Sequence, residues 1–221
     1  MHTSSTEGLI HTMLSLPLFK AEWVLLLLIL LSLVSVAIMV ERYVFYKRHS
    51  IKIDEVKDSF SKFLNDGDFE GAAKYLAGFD SLETNVVLFG LKSHQLGPES
   101  VEDLLGGGAQ MEQARYDKWL SFLATIAANA PFIGLFGTVI GIIRAFNDLA
   151  GNMSEASSSV MAGISEALST TAVGLLVAIP AVVAFNIYKS KVKGHTENLG
   201  LLASILTSSL KSVPASEKGK D

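Results

Sequence analysis

The chain has 221 residues, of which 49% are hydrophobic and 18% charged, with a formal net charge of −4 and no cysteine. That balance is poor for a water-soluble domain and points to a membrane protein, and the missing cysteines exclude disulfides, thiolate metal sites and cysteine nucleophiles. The acidic balance, with no basic stripe interleaved with aromatics, argues against a nucleic-acid partner, and the five histidines (His2, His11, His49, His94, His195) show no metal-ligand spacing.

Residues 1–22 form an N-terminal segment ahead of the first apolar run, Trp23 to Val40, eighteen residues without a charge. As a helix this run is about 27 Å long, enough to cross a bilayer. It is long for a signal peptide, and Glu41-Arg42 stands where a cleavage site needs small residues, so an uncleaved membrane helix is expected. Residues 41–119 are predicted to form a cytoplasmic helical domain. In it Ile53, Val56, Phe60, Phe63 and Leu64 recur at helical spacing before the turn Asn65-Asp66-Gly67. Asp68 is placed to cap a second short helix that stops at Gly78. Beyond Gly97-Pro98 the pattern predicts one long helix from Glu99 into the second apolar run. Gly106-Gly107-Gly108 is its weak point, since each glycine costs a helix interior about 1 kcal/mol, and a break or hinge there is the alternative. The triplet lacks the Gly-Lys-Ser/Thr ending of a phosphate loop.

The second membrane helix is expected over 120–147 and the third over 160–188, joined by a polar loop at 148–159. A C-terminal helix and tail follow over 189–221, the tail disordered from Ser212. Ten lysines and arginines lie between Glu41 and Ser121, and Lys189, Lys191 and Lys193 follow the third helix, whereas the 148–159 loop has none. The positive-inside rule therefore places the N-terminus and that loop outside, and residues 41–119 and the C-terminus in the cytoplasm. The fold class is an all-α integral membrane protein with three transmembrane helices, the second and third extending into the cytoplasmic helical domain.

Small residues dominate one face of each later span. Pro131, Gly134, Gly137, Thr138, Gly141 and Ala145 form a stripe on the second helix, and Gly163, Ala167, Thr170, Gly174, Ala178 and Ala181 form one on the third, with Pro180 as a kink. Such stripes let membrane helices approach closely whatever the protein does. The polar groups carry more. Counted from Trp119 and from Lys189, Thr138 and Thr171 share one depth, about 27–28 Å from the inner surface. A membrane threonine commonly bonds to its own helix, but two at one level could line a pore built from several copies. Glu166 lies about 7.5 Å further out, on a face shared with Thr170 and roughly 140° from Thr171. Its bland reading is a solvated acid in the first helical turn. Since the apolar period continues upstream to Val160, a buried acid with a proton or coupling role is the reading preferred. Arg144, the other intramembrane charge, is expected to snorkel outward and pair with Asp148 at the outer mouth.

The stretches "ATIAANAPFIGLFGTVIGIIRAF" (Ala124 to Phe146) and "AGISEALSTTAVGLLVAIPAVVAFN" (Ala162 to Asn186) resemble the two core segments of the ExbB/TolQ/MotA proton-channel family. Three spans at this length resemble ExbB or TolQ more than the four-helix flagellar MotA, and "NAPFIGLFGTV" is nearest to ExbB. The resemblance implies a pentamer in the bacterial inner membrane, around two copies of a single-span ExbD- or TolR-like partner whose aspartate carries the proton. Proton-motive force would then drive a cyclic motion passed to a TonB-like protein. It also implies that Thr138 and Thr171 line the pore and that Glu166 is the third-helix glutamate. Arg144 departs from the histidine or asparagine expected there, and the glycine triplet is unusual. Neither a cofactor nor a catalytic residue is implied. A TolQ-like envelope role or a gliding motor, and from another class a passive scaffold for the partner, stay open. An enzyme is the weakest reading, since no nucleophile and base pair was found.

Overall fold

The computed structural model describes residues 21–151 and 156–212, apart from the side chains at 21, 148, 150, 151 and 156–159. The expected N-terminal segment up to residue 20, the centre of the polar loop and the tail after Ser212 lie outside the described residues. Seven α-helices follow in chain order among the described residues: α1 (Ala21–Arg48), α2 (Ile53–Asn65), α3 (Phe69–Leu76), α4 (Leu82–Lys92), α5 (Pro98–Asp117), α6 (Leu120–Gly151) and α7 (Ala156–Ser212). A single 3₁₀ turn, His94–Leu96, separates α4 from α5. The chain divides into two compact units, one of residues 1–40 and 121–185, the other of residues 41–120 and 186–221.

In the first unit, Leu26, Leu30, Leu33, Phe132, Leu176 and Ile179 are all more than half exposed. So many large apolar side chains standing exposed suit a bilayer rather than water. Three helices among the described residues, α1, α6 and α7, are long and apolar enough to cross a bilayer, and the chain is an all-helical membrane protein. Pro131 and Pro180 lie inside α6 and α7 without ending either. Each removes one donor from the helix ladder, a loss that membrane helices tolerate by local adjustment. With α6 running to Gly151 and α7 starting at Ala156, the connection between them is shorter than the 148–159 loop read from polarity.

The second unit follows its sequence pattern closely at first. Helix α2 buries Val56, Phe60 and Leu64, one face at four-residue spacing. The Asp68 carboxylate accepts the Gly71 N–H at 2.7 Å and caps α3. Helix α4 opens with a reciprocal capping box between Ser81 and Thr84 and packs on α5, where Gly90 makes room for Leu105: a Cβ on Gly90 would stand 2.7 Å from Leu105 Cδ2.

The long helix expected from Glu99 onward is interrupted, but not at the glycine triplet. Residues 106–108 lie inside unbroken α5, and the interruption comes at Lys118-Trp119, where Trp119 takes a left-handed φ of 65°. A bulky residue in that region is strained, and neither residue is a helix breaker, so nothing in the sequence signals the turn. The helix holds through the triplet because Val101 and Leu105 are buried against Gly90 of α4 and Gly108 rests against Val86 and Phe89, while Gly106 and Gly107 face open space. Gly107→Ala should therefore stabilise this unit by about 0.5–1 kcal/mol, through a less flexible unfolded chain and better helix propensity. The check is a rise in the thermal midpoint of the purified protein.

Tyr116 is the node of this unit. Its hydroxyl accepts the Leu82 N–H at 2.9 Å and its carbonyl accepts the Tyr46 hydroxyl at 2.7 Å. Close by, Arg115 grips the Asp80 carboxylate at 3.0 and 3.1 Å, and Asn85 donates to the same group at 3.0 Å. The Arg115 and Asn85 hydrogen bonds hold the Asp80 carboxyl well below the usual carboxylate range. A depressed value means that the pair's stabilisation is fully present above about pH 4 and is lost as pH falls through the folded-state value. Asp80 is largely exposed, so solvent screening limits the contribution to about 1 kcal/mol or less. Asp80→Asn should lower the thermal midpoint slightly at neutral pH, and the two proteins should converge in acid.

Candidate functional site

The site is built where α6 and α7 meet. Glycines floor the contact. A Cβ on Gly134 would lie 2.8 Å from the Thr170 carbonyl oxygen, and one on Gly174 would lie 2.7 Å from the Ala130 carbonyl oxygen. The two backbones therefore touch with nothing between them. Gly141 and Gly163 are crowded by side chains instead: a Cβ would lie 2.6 Å from Ala167 Cβ in the first case and 2.9 Å from Ala145 Cβ in the second. Gly137 is pressed from two sides, with Thr170 Oγ1 at 2.8 Å and Val24 Cγ1 of α1 at 2.9 Å from such an atom. Only hydrogen at these positions lets three helices converge on one point.

That approach brings three hydroxyls together. Thr138 Oγ1 lies 2.5 Å from Thr171 Oγ1 and 3.4 Å from Thr170 Oγ1, and its proton can go to the Ala167 carbonyl at 2.9 Å or to the Gly134 carbonyl at 3.3 Å. Thr170 faces the same two acceptors, Ala167 at 2.7 Å and Gly134 at 3.1 Å. Thr138 and Thr170 are 7% and 3% exposed, and Thr171 is half-buried at the edge of the cluster. Each hydroxyl both donates and accepts; Thr138 and Thr170 each have alternative acceptors, and Thr171 joins the group through Thr138. The group is a small switchable hydrogen-bond network in apolar surroundings, where such networks are strengthened.

Thr138 and Thr171, placed at one depth by counting, are thus in direct contact. Counting missed the central part of Thr170, because helical rise gives depth but not which face a neighbouring helix covers. Its sequence signal was available: Thr170 lies on the same small-residue stripe as Gly163, Ala167 and Gly174. Glu166 stands one turn before Thr170 on α7 with an exposed side chain, and the hydrogen bonds of the hydroxyl cluster run among Thr138, Thr170, Thr171 and the Gly134 and Ala167 carbonyls. Arg144 is exposed on α6, and the side chain of its expected partner Asp148 lies outside the described residues.

Comparison with known proteins bears on the same segment. The model of the "MotA/TolQ/ExbB proton channel family" matches residues 79–200, more than half of the chain. The "Biopolymer transport protein ExbB" of Salmonella typhimurium is 31% identical over 189 residues, covering 80% of this chain and 75% of the relative. The "Tol-Pal system protein TolQ" of Haemophilus influenzae is also 31% identical, over 194 residues, 81% of this chain and 83% of the relative. The ExbB of Neisseria gonorrhoeae reaches 48% identity over 90 residues, 40% of each chain. Three membrane-length helices, a glycine-floored contact between the last two, and relatives matched over most of their length lead to one assignment: the chain belongs to the MotA/TolQ/ExbB proton channel family.

Proposed function

We propose that the chain is the proton-channel subunit of an inner-membrane motor of the ExbB type. It surrounds a single-span, ExbD-like partner as a homo-pentamer and uses proton-motive force to energise TonB-dependent transport across the outer membrane. The observation that carries the reading is the Thr138, Thr170 and Thr171 hydroxyl network inside two apolar helices. A membrane helix has no packing need for three convergent hydroxyls, two of them with interchangeable acceptors, whereas a group that accepts a proton on one side and passes one on the other needs that ambiguity. The spans expected at 23–40, 120–147 and 160–188 hold no aspartate, so the carrier of the proton across the bilayer belongs to the partner. Thr138 and Thr171 then line the pore, and Glu166, further out on α7, faces the partner or a neighbouring copy and sets proton entry. The orientation follows the lysine and arginine bias, with the N-terminus periplasmic and the second unit in the cytoplasm.

A TolQ-like role in the cell envelope is the second reading, favoured by the equal identity to a TolQ and to an ExbB. Co-purification with the product of a neighbouring single-span gene, followed by the mass of the intact complex, tests the assembly. A mass without five copies of this chain, or no bound single-span protein, would sink it. Loss of iron-chelate or vitamin uptake on deletion of the gene supports the ExbB-type reading, and an envelope-leakage phenotype with normal uptake supports the TolQ type.

A further inference from the structure

The second unit contains a buried acid that the channel reading does not use. Glu83, in the first turn of α4, is 0% exposed, and both its oxygens face His195 Nδ1 of α7 at 2.9 and 3.2 Å. His195 is itself only 11% exposed and lies with its ring centre 5.0 Å from that of Tyr116 on α5. An ionised carboxylate in such a place needs a cation with it. The other cations around the Tyr116 node are committed elsewhere. Arg115 of α5 is held by Asp80 and Glu112, and Arg42 of α1 is held by Glu41. His49, just beyond α1, whose ring also meets Tyr116, pairs with Asp80 at 3.2 Å. Tyr116 itself spends its hydroxyl on the Leu82 N–H and sits above its ordinary titration range because of burial. On α7, Lys191, one turn before His195, is exposed. The basic group that faces Glu83 is therefore a histidine, the side-chain type whose charge ordinarily changes near neutral pH.

We propose that Glu83 and His195 form a proton-binding latch: with two protons on its ring His195 fastens the start of α4 to α7, and loss of one proton loosens the contact. The chemistry is one proton leaving the His195 imidazolium to solvent. What stays behind is a buried carboxylate without a cation, which favours opening of α4. The functional consequence rests on the proton-channel reading: a machine that passes protons would carry, beyond the 160–188 span, a contact whose strength follows proton concentration there.

Hydrogen exchange of the full-length protein in nanodiscs with no proton gradient, from about pH 5.5 to about pH 8.5 and corrected for intrinsic rates, tests the latch. Protection of the buried α4 amides Val86 and Val87 is expected to fall on the order of tenfold or more across that range. Glu83→Gln, whose amide accepts from a charged or neutral imidazole alike, should abolish the slope, and His49→Gln should preserve it. Flat protection in the wild type, an unchanged slope in Glu83→Gln, or a slope that disappears in His49→Gln overturns the proposal. If Glu83→Gln does not fold, ¹⁵N-imidazole NMR of the wild type decides: a His195 ring that keeps one protonation state while α4 loosens also overturns it. Since no transport is measured, failure of the channel reading leaves these outcomes unchanged.

Discussion

Glu166→Gln should reduce proton-driven output on the order of a hundredfold while leaving the assembled complex intact. The substitution keeps the size of the side chain and its ability to hydrogen-bond, and removes only its capacity to carry charge and exchange a proton, an effect of that size for a positioned proton-transfer group. Its exposure on the surface of α7 means that no internal packing depends on it, so stability should hardly change. Thr138→Ala acts differently. It deletes the hydroxyl that joins Thr171 to the Ala167 carbonyl, leaving Thr170 with its own acceptors, and should cut output about tenfold or more with a small loss of stability. The measurement is energy-dependent uptake in cells expressing each variant, alongside co-purification of the complex. Uptake that survives both substitutions would remove the proton-coupling role and leave the scaffold reading as the better one.

The second large effect is structural. Gly174→Ala and Gly134→Ala should each destabilise the packing of α6 on α7 by about 1–3 kcal/mol and pull the threonines apart. The new methyl would meet backbone atoms, the Ala130 carbonyl oxygen at 2.7 Å and the Thr170 carbonyl oxygen at 2.8 Å. Backbone cannot rotate away as a side chain can, so the helices must separate. The contrast with Gly107→Ala is the sharpest check. One substitution type should lower the thermal midpoint at Gly134 and Gly174 and raise it at Gly107, because a Cβ collides with a neighbouring helix in one place and meets open space in the other. Equal shifts at all three positions would contradict the packing described for α6 and α7.

Some of this was legible in the residues alone. A bilayer demands about twenty apolar residues per span, so composition and run length were enough to identify three membrane helices. Small residues at three- and four-residue spacing marked the faces of α6 and α7 that pack, and helical rise placed Thr138 level with Thr171. Asp68 announced the start of α3 because a cap is a local interaction, settled within three residues.

Contacts distant along the chain were not legible in this way. The glycine triplet looked like the weak point of the long helix, yet the interruption lies at Lys118-Trp119, since packing overrides a propensity of about 1 kcal/mol per residue. Which glycines touch backbone and which touch side chains depends on the azimuth of the neighbouring helix, a quantity that periodicity does not contain. The pairing of Glu83 with His195, 112 positions apart, was invisible for the same reason. Local rules determine which helices form and which faces are apolar or small; only the tertiary structure decides which polar groups those faces bring together, and therefore where a proton can be held.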